Sequence, residues 1–385
     1  MNNYFCCMKQ PVNPFIVSGR VIPEYFCDRR EESQSLIRTV TNGNNLVLIS
    51  PRRMGKTGLI RYCFDTPALA ENYHTFFIDI LQTTNLKEFT YLLGREIFNT
   101  LLPRNRKMLQ AFTSALKSQT GKFGFDAMSG TPTFNIQLGD IATPEYTLEE
   151  IFDYLSASEV PCIVAIDEFQ QIANYSEKNI EALLRTHIQR TVGTTFIFAG
   201  SERHILQRMF ADAGRPFYNS ASMMHLGPIA PELYRQFVVD LFHSRGKEVD
   251  GPEVDRVYAL FEGHTYYMQK TFNNAFGNTA EGDRCSAQTI DTAVEDMLAS
   301  FDPVYRTILS GISAPQKELL YAIAREGSAR GLTSAAFIKR NALQSASSVQ
   351  AATKKLMERD LITTDDGTYR VTDCLMAIWL KRIYG

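Results

Sequence analysis

The sequence has no apolar run of the length that a membrane-spanning helix needs, which is roughly 18–20 residues. Its first residues also lack the apolar core of about 7–15 residues that marks a secretory signal peptide. The composition of the whole chain, with 44% hydrophobic and 21% charged residues, is ordinary for a globular protein. We therefore expect a cytoplasmic protein that makes no membrane contacts.

Cysteine patterns typical of a metal site are missing as well. The seven cysteines form no C-x-x-C pair and no Cys/His cluster with zinc spacing. Several of them, such as Cys162, lie inside apolar runs, where cysteine behaves as a small buried hydrophobic residue. This pattern favours a reducing compartment.

A strong net charge is also absent, since 40 Lys and Arg stand against 42 Asp and Glu. No global field therefore draws the chain onto nucleic acid, and any such binding must come from a local patch. The Asn-Lys-x-Asp segment with which GTPases read guanine does not occur, which disfavours a GTPase.

The strongest signal in the sequence is a candidate phosphate-binding loop. The apolar run at residues 46–49 predicts a buried strand, and residues 58–64 predict a helix. Backbone N–H groups at such a helix start point at phosphates, and the helix dipole favours their negative charge. The candidate binding residues are Ser50, Pro51, Arg52, Arg53, Met54, Gly55, Lys56, Thr57 and Gly58.

Within this loop the residue types fit nucleotide chemistry. Gly55 lets the backbone approach closely, Lys56 reaches the β- and γ-phosphates, and the Thr57 hydroxyl is a candidate Mg²⁺ ligand. Ser50 stands where the motif normally has its first glycine, and its small side chain leaves the expected loop intact. Read alone, a chance Gly-Lys-Thr at a helix start is the alternative.

A second sequence motif places two carboxylates at the same edge of the predicted sheet as this loop. The apolar run at residues 162–166 predicts a fully buried strand, and Asp167 and Glu168 follow it at the sheet edge where ligands of open α/β sheets bind. Asp167 is a candidate to hold Mg²⁺, usually through water, and Glu168 is a candidate general base. The two elements together are far more specific than either alone.

Further strands complete the predicted sheet. The run at residues 194–200 ends before Ser201, a candidate to sense the γ-phosphate or position water. Ser201 is also a candidate cap of the next helix, and the two roles do not exclude each other. Strands near residues 46, 75, 162, 194 and 223 alternate with helices and predict a doubly wound, mostly parallel α/β sheet. Residues 104–145 predict an insertion with a small hairpin, and a disordered loop is the alternative. A capping box at residues 147–150 predicts the start of a helix.

We predict three domains, with bounds 1–229, 230–312 and 313–385. The second is helical, and Asp302 and Pro303 are predicted to open one of its helices. The third combines helices at 315–326, 333–340 and 347–358 with a hairpin at an Asp-Gly turn, which is typical of a winged helix. The basic residues of its third helix region are candidate DNA contacts. They are Lys354, Lys355 and Arg359. The alternative is that the wing packs on the first domain or on a partner and touches no DNA.

With these residues identified, the chain resembles the archaeal-type ATPase family, a branch of the STAND class of AAA-like P-loop ATPases. The similarity rests on residues 26–32, 50–57, 166–170, 199–201 and 361–380. It implies a P-loop core, a helical lid and a winged helix. It also implies an Mg²⁺-dependent ATPase that converts ATP binding and hydrolysis into movement of the last two domains.

The resemblance also implies roles for residues outside the two motifs. Arg29 belongs to the family's N-terminal pattern, and His264 occupies the lid position that contacts nucleotide. Ser220 stands where the family has an arginine, so Arg215 is the nearest candidate for an arginine finger. This departure supports an alternative, in which the protein is a nucleotide-gated switch that hardly hydrolyses ATP and binds DNA, a protein partner or itself.

Overall fold

The computed structural model describes residues 13–19, 21–102, 106–119, 123–125 and 132–384. The chain forms two compact units. The sheet unit contains residues 29–51 and 55–227. The helical unit contains the segment before residue 29, residues 52–54 and the chain from residue 228 onwards. The predicted three-domain division, with ends at residues 229 and 312, stays a prediction.

The sheet unit is built on one parallel sheet with the strand order β2-β5-β6-β1-β7. Its strands are β1 (Leu46–Ile49), β2 (His74–Asp79), β5 (Cys162–Asp167), β6 (Thr194–Gly200) and β7 (Ser222–His225). Strands β1 and β5 are buried throughout, as their unbroken apolar runs predict. The α/β class and the parallel sheet predicted from the sequence are confirmed.

Eight helices accompany these strands in the described part of the sheet unit. They are α1 (Arg30–Thr41), α2 (Lys56–Asp65), α3 (Pro67–Ala70), α4 (Leu86–Leu101), α5 (Arg106–Ala115), α6 (Pro144–Ala157), α7 (Ile180–Arg190) and α8 (Arg203–Ala211). The predicted hairpin in the insertion is present as an antiparallel pair of short strands, β3 (Phe123–Phe125) and β4 (Pro132–Phe134).

The strand order places the predicted motifs side by side. Strand β6 lies between β1 and β5, with Ile49 opposite Gly200 and Ile166 opposite Phe198. Because parallel strands end at the same sheet edge, the loop after β1 and the carboxylates of Asp167 and Glu168 at the end of β5 meet there.

The helical unit consists mainly of helices. They are α9 (Pro231–His243), α10 (Gly251–Leu260), α11 (Thr265–Gly277), α12 (Ala287–Ser310), α13 (Ala314–Glu326), α14 (Ala335–Arg340), α15 (Ala346–Glu358) and α16 (Cys374–Tyr384). Its short strands are β8 (Glu248–Val249), β9 (Arg284–Cys285), β10 (Ala329–Arg330), β11 (Ile362–Asp365) and β12 (Thr368–Val371).

The predicted winged helix is confirmed by this C-terminal region. Helices α13, α14 and α15 accompany a three-stranded antiparallel sheet with the order β10-β12-β11, whose strand β10 lies between α13 and α14 in the chain. The capping box at Ser313 is formed, with Gln316 as its second member. Helix α15 begins slightly earlier than predicted, because Ser345 caps it.

Two predicted helix starts are wrong. Pro303 lies inside α12, because the apolar face of that helix continues past it through the buried Tyr305 and Leu309. The cost of an internal proline, about 3 kcal/mol, is outweighed by this packing. Helix α6 begins at Pro144 instead of Thr147, whose hydroxyl lies 3.0 Å from the Ser118 hydroxyl.

Within the described residues, no helix has both the length and the apolar character required to cross a bilayer.

Candidate functional site

The candidate phosphate-binding loop connects β1 to α2, as predicted. At its start the Ser50 N–H donates to the Gly200 carbonyl over 3.3 Å, which fixes the loop to β6. Helix α2 begins at Lys56, and Gly55 before it has φ 91°, in the left-handed region that favours glycine. Gly55 therefore permits the turn from the loop into the helix.

Lys56, Thr57 and Asp167 form a cluster at the sheet edge, in which Lys56 and Asp167 are buried and Thr57 is exposed. The Lys56 ammonium lies 2.7 Å from Asp167 Oδ1, and the Thr57 hydroxyl donates to Asp167 Oδ2 over 2.6 Å. The Lys56 and Asp167 side chains are only 8% and 5% exposed. The structure thus brings together the loop and the acidic pair that the sequence predicted as one site.

Glu168 lies beside this cluster and is held by several donors. Its Oε1 is 3.2 Å from the Lys56 ammonium, and its Oε2 accepts from the Ser201 hydroxyl over 2.9 Å. Burial alone would raise the pKa of Glu168, but the Lys56 charge and the hydrogen bonds from Gln170, Ser201 and Lys56 outweigh burial and lower it. Glu168 is thus held as a carboxylate.

Ser201 follows β6 and contacts Glu168, so it belongs to the cluster. Glu202, and not Ser201, occupies the N-cap position of helix α8, and its side chain makes no capping hydrogen bond. Of the two predicted roles for Ser201, the helix cap is therefore not observed, and the hydroxyl is directed to the carboxylate instead.

Sequence reasoning missed Asp79, which is the last residue of β2. Its Cα pairs with Asp167 across the two strands, and one of its carboxylate oxygens accepts from the Leu81 N–H. Burial, followed by the negative charges of Asp167 and Glu168, raises the pKa of Asp79. Its place at the end of a predicted strand next to β5 was the available signal.

Gln170 was also missed as a functional residue, although the resemblance included its position. Its side-chain amide donates to Glu168 Oε2 over 2.6 Å, and the residue is 2% exposed. The sequence signal was its spacing, two residues after the candidate base.

Arg29 and Arg215 lie in the sheet unit and are engaged by other groups. Arg29 pairs with Glu32 over 2.8 Å and donates to the Gly227 carbonyl over 2.7 Å. The Arg215 guanidinium is hydrogen-bonded to the carboxylate of Glu181 on α7. Among the described contacts, the predicted arginine finger is therefore paired within its own chain.

Residues 52–54 of the loop are grouped with the helical unit and make specific contacts there. Arg52 pairs with Asp360 over 3.1 Å, and Arg53 pairs with Asp373 over 2.7 Å. The Arg53 carbonyl accepts from the Tyr266 N–H over 3.1 Å. The loop backbone is thereby attached to the start of α11, directly after His264.

Aromatic rings surround the Arg53 guanidinium. Its central carbon lies 4.7 Å from the ring centre of Tyr267 and 5.5 Å from those of Tyr266 and Phe301. His264 occupies the N-cap position of α11 without a side-chain capping bond, and its Nδ1 lies 2.8 Å from the Phe261 carbonyl oxygen. Together with Arg52 and Arg53, His264 lines a small cavity of about 70 Å³ in this unit.

The three basic residues predicted to contact DNA differ in whether they bind other groups of the chain. Lys355 pairs with Glu358 over 2.7 Å, and Arg359 donates to the Gly311 carbonyl over 2.5 Å. The Lys355 charge lowers the pKa of Glu358 through this bond. Lys354 is exposed on α15.

Comparison with known proteins now decides the family. A profile described as an ATPase domain predominantly from Archaea matches residues 26–271, which is more than half of the chain. The chain belongs to this archaeal ATPase family. The matched range includes the phosphate-binding loop, Asp167, Glu168 and Ser201. A probable winged helix domain matches residues 303–382.

Solved structures share the fold of this chain over almost its whole length. The Walker-type ATPase of Pyrococcus abyssi is 19% identical and covers 96% of this chain and 99% of its own, with a TM-score of 0.69. The ORC2 protein of Aeropyrum pernix, solved in ADPNP–ADP complexes, is 14% identical with 96% of both chains covered and a TM-score of 0.64.

The ORC1 protein of Aeropyrum pernix, solved in complex with DNA, is 12% identical with 97% of both chains covered and a TM-score of 0.51. At these identities the similarities show the fold alone. No curated protein matches the chain.

Proposed function

We propose that this family member is an Mg²⁺-dependent ATPase whose catalytic centre is the cluster of Lys56, Thr57, Asp167 and Glu168. The observation that carries the proposal is the pair of contacts from Lys56 to Asp167 and Glu168, at 2.7 Å and 3.2 Å. They join the loop after β1 to the carboxylates at the end of β5 in one site.

The chemistry follows from an exchange of partners at Lys56. Breaking a buried ion pair costs about 3–5 kcal/mol, so Lys56 leaves its carboxylates only for groups of comparable charge. The β- and γ-phosphates of ATP are such groups, and the loop N–H groups bind them from the other side. Glu168 is then free of the ammonium and can accept a proton from the attacking water.

The oxygens of Thr57 and Asp167 fit Mg²⁺. Their side-chain oxygens are 2.6 Å apart, and both are the hard ligands that this ion prefers. We infer that Thr57 holds the ion directly and Asp167 through water. When bound, Mg²⁺ neutralises charge on the phosphate oxygens. Ser201, next to Glu168, is proposed to sense the γ-phosphate.

Coupling to the C-terminal region is proposed to run through residues 52–54. Arg53 precedes Lys56 by three residues, and its ion pair with Asp373 ties it to α16. If the loop rearranges around phosphates, residues 52–54 move with it, and their bonds to Tyr266 and Asp373 transmit this movement to α11 and α16. Contacts of Arg29, Arg215 and His264 with nucleotide remain proposals from the family resemblance.

Steady-state phosphate release with Mg²⁺ and ATP tests the proposed activity. The wild type should release phosphate, and Lys56→Ala should lose both ATP binding and release. Lys178→Ala, at an exposed position of the sheet unit, is the matched control and should behave as the wild type. Phosphate release that survives in Lys56→Ala would contradict the proposal.

A slowly hydrolysing, nucleotide-gated switch is the second candidate, and the Arg215–Glu181 pair favours it. A guanidinium held by Glu181 must first leave that carboxylate to reach a γ-phosphate, and Ser220 has no charge to replace it. Retention of ADP through gel filtration, with little phosphate release, would support the switch. Release that duplex DNA stimulates would support the ATPase.

Duplex DNA is proposed as a partner mainly through Lys354, since Lys355 and Arg359 are engaged within the chain. A protein partner or self-association is the alternative. Lys354→Glu should weaken DNA binding measured at low salt, because phosphate contacts are electrostatic.

A further inference from the structure

We propose that Gln170 is a positioning residue that holds the Glu168 carboxylate in place for proton transfer from water. This inference rests on the proposed ATPase function and names a residue to which no role has been assigned. The Gln170 side-chain N–H donates to Glu168 Oε2 over 2.6 Å.

The backbone that carries both residues is anchored. Glu168 has φ 56°, in the left-handed region, and a 3-10 helix over Phe169–Asn174 follows it. Phe169 between them is fully buried, with its ring centre 4.6 Å from that of Phe198 and 5.3 Å from that of Phe217. Gln170 therefore reaches Glu168 from a fixed point.

Strand β6 leaves room for the Gln170 amide at Gly200. A Cβ at residue 200 would lie 2.0 Å from Gln170 Oε1 and 2.6 Å from Leu206 Cδ1. Both distances are below any normal contact, so an alanine there would force the amide to move. Glycine at the end of β6 is thus explained by the close approach of this side chain.

The other end of the Gln170 amide argues against a purely structural role. Its Oε1 is buried and has no hydrogen-bond partner within the part of the chain that the structure describes. An unpaired buried carbonyl costs free energy that an apolar side chain of the same length would avoid. The amide is therefore retained for its N–H, which binds Glu168.

Gln170 is also the donor that remains when nucleotide binds. Of the three side chains that donate to Glu168, Lys56 is proposed to turn to the phosphates, and Ser201 to the γ-phosphate. The charges that face Glu168 from neighbouring elements are the Lys56 ammonium on α2, Asp167 on β5 and Asp79 on β2. With Lys56 withdrawn, the Gln170 bond offsets the repulsion from the two aspartates.

The test compares kcat with the dissociation constant of ATP in Gln170→Met, which removes the donor to Glu168 and keeps the length of the side chain. We expect kcat to fall about tenfold, as for a partly displaced general base. The dissociation constant of ATP should stay within about twofold of the wild-type value.

Gln171→Met is the matched control, because the neighbouring amide donates to the Thr83 carbonyl over 2.9 Å instead. It should leave both kcat and the dissociation constant of ATP unchanged. If Gln170→Met does not fold, Gly200→Ala tests the same contact, since it keeps the amide but displaces it.

An unchanged or increased kcat, or a loss of ATP affinity as large as the loss of kcat, in a folded Gln170→Met or Gly200→Ala protein would overturn the positioning role while wild-type turnover stands. An absence of turnover in the wild type would overturn the proposed function, and this inference with it.

Discussion

The Arg53 guanidinium lies 2.7 Å from the Asp373 carboxylate, although 320 residues separate them in the chain. Asp373 also accepts from the N–H groups of Leu375 and Met376 at the start of α16, and from the Tyr267 hydroxyl over 2.5 Å. A residue of the phosphate-binding loop is therefore bound to the group that begins the last helix.

Asp373→Asn tests the strength of this link. Asparagine keeps an oxygen for the helix N–H groups but loses the charge that pairs with Arg53. Since the two side chains are 33% and 25% exposed, the free energy of unfolding should fall by about 0.5–1 kcal/mol. Urea denaturation measures this change. Asp366→Asn is the control, because its pair with Arg330 is 3.9 Å long and exposed, and it should change nothing.

Hydrogen exchange tests whether the link transmits nucleotide binding. Addition of a non-hydrolysable ATP analogue should change the exchange of amides at the start of α16 in the wild type. The change should be lost in the double variant Asp360→Asn/Asp373→Asn, while protection at α2 remains. An unaltered response of α16 in the double variant would mean that coupling takes another route.

Gly55→Ala separates backbone strain from nucleotide binding. Gly55 has φ 91° and Gly43 has φ 76°, and a Cβ at either position meets no atom within 4 Å. Alanine at either site should therefore cost about 1 kcal/mol of unfolding free energy from conformation alone. Gly55→Ala should in addition weaken ATP binding about tenfold, or 1.4 kcal/mol, measured by calorimetry. Equal ATP affinities in both variants would contradict the loop assignment.

Asp79→Asn should stabilise the protein at neutral pH. The pKa of Asp79 is raised in the fold by burial and by Asp167 and Glu168, so its ionised form costs stability above that pKa. This cost disappears as the pH falls below the unfolded-state value of about 3.9. Melting temperatures should therefore differ between variant and wild type at pH 7 and converge near pH 4. A difference that grows towards acid pH would refute this sign.

The sheet and the centre of the candidate site could be predicted because their signals are local. Unbroken apolar runs mark β1 and β5, and the polar residues that follow them, Lys56 and Asp167, must meet when parallel strands end at one edge. Sequence spacing therefore predicts this contact without any knowledge of the tertiary structure.

The remaining parts depend on tertiary packing, which a single sequence does not display. Nothing near Arg53 indicates a partner 320 residues away, and nothing near Gln170 shows that Gly200 makes room for its amide. Pro303 reads locally as a helix start, yet the packing of Tyr305 and Leu309 carries α12 through it.

The most direct measurement of the central claim is ATP binding and turnover by Glu168→Gln. Glutamine keeps the size of the side chain but cannot accept the proton of the attacking water. The account predicts that this variant binds Mg²⁺–ATP as the wild type does and that its phosphate release falls by at least about 100-fold. Phosphate release at the wild-type rate in Glu168→Gln would contradict the account.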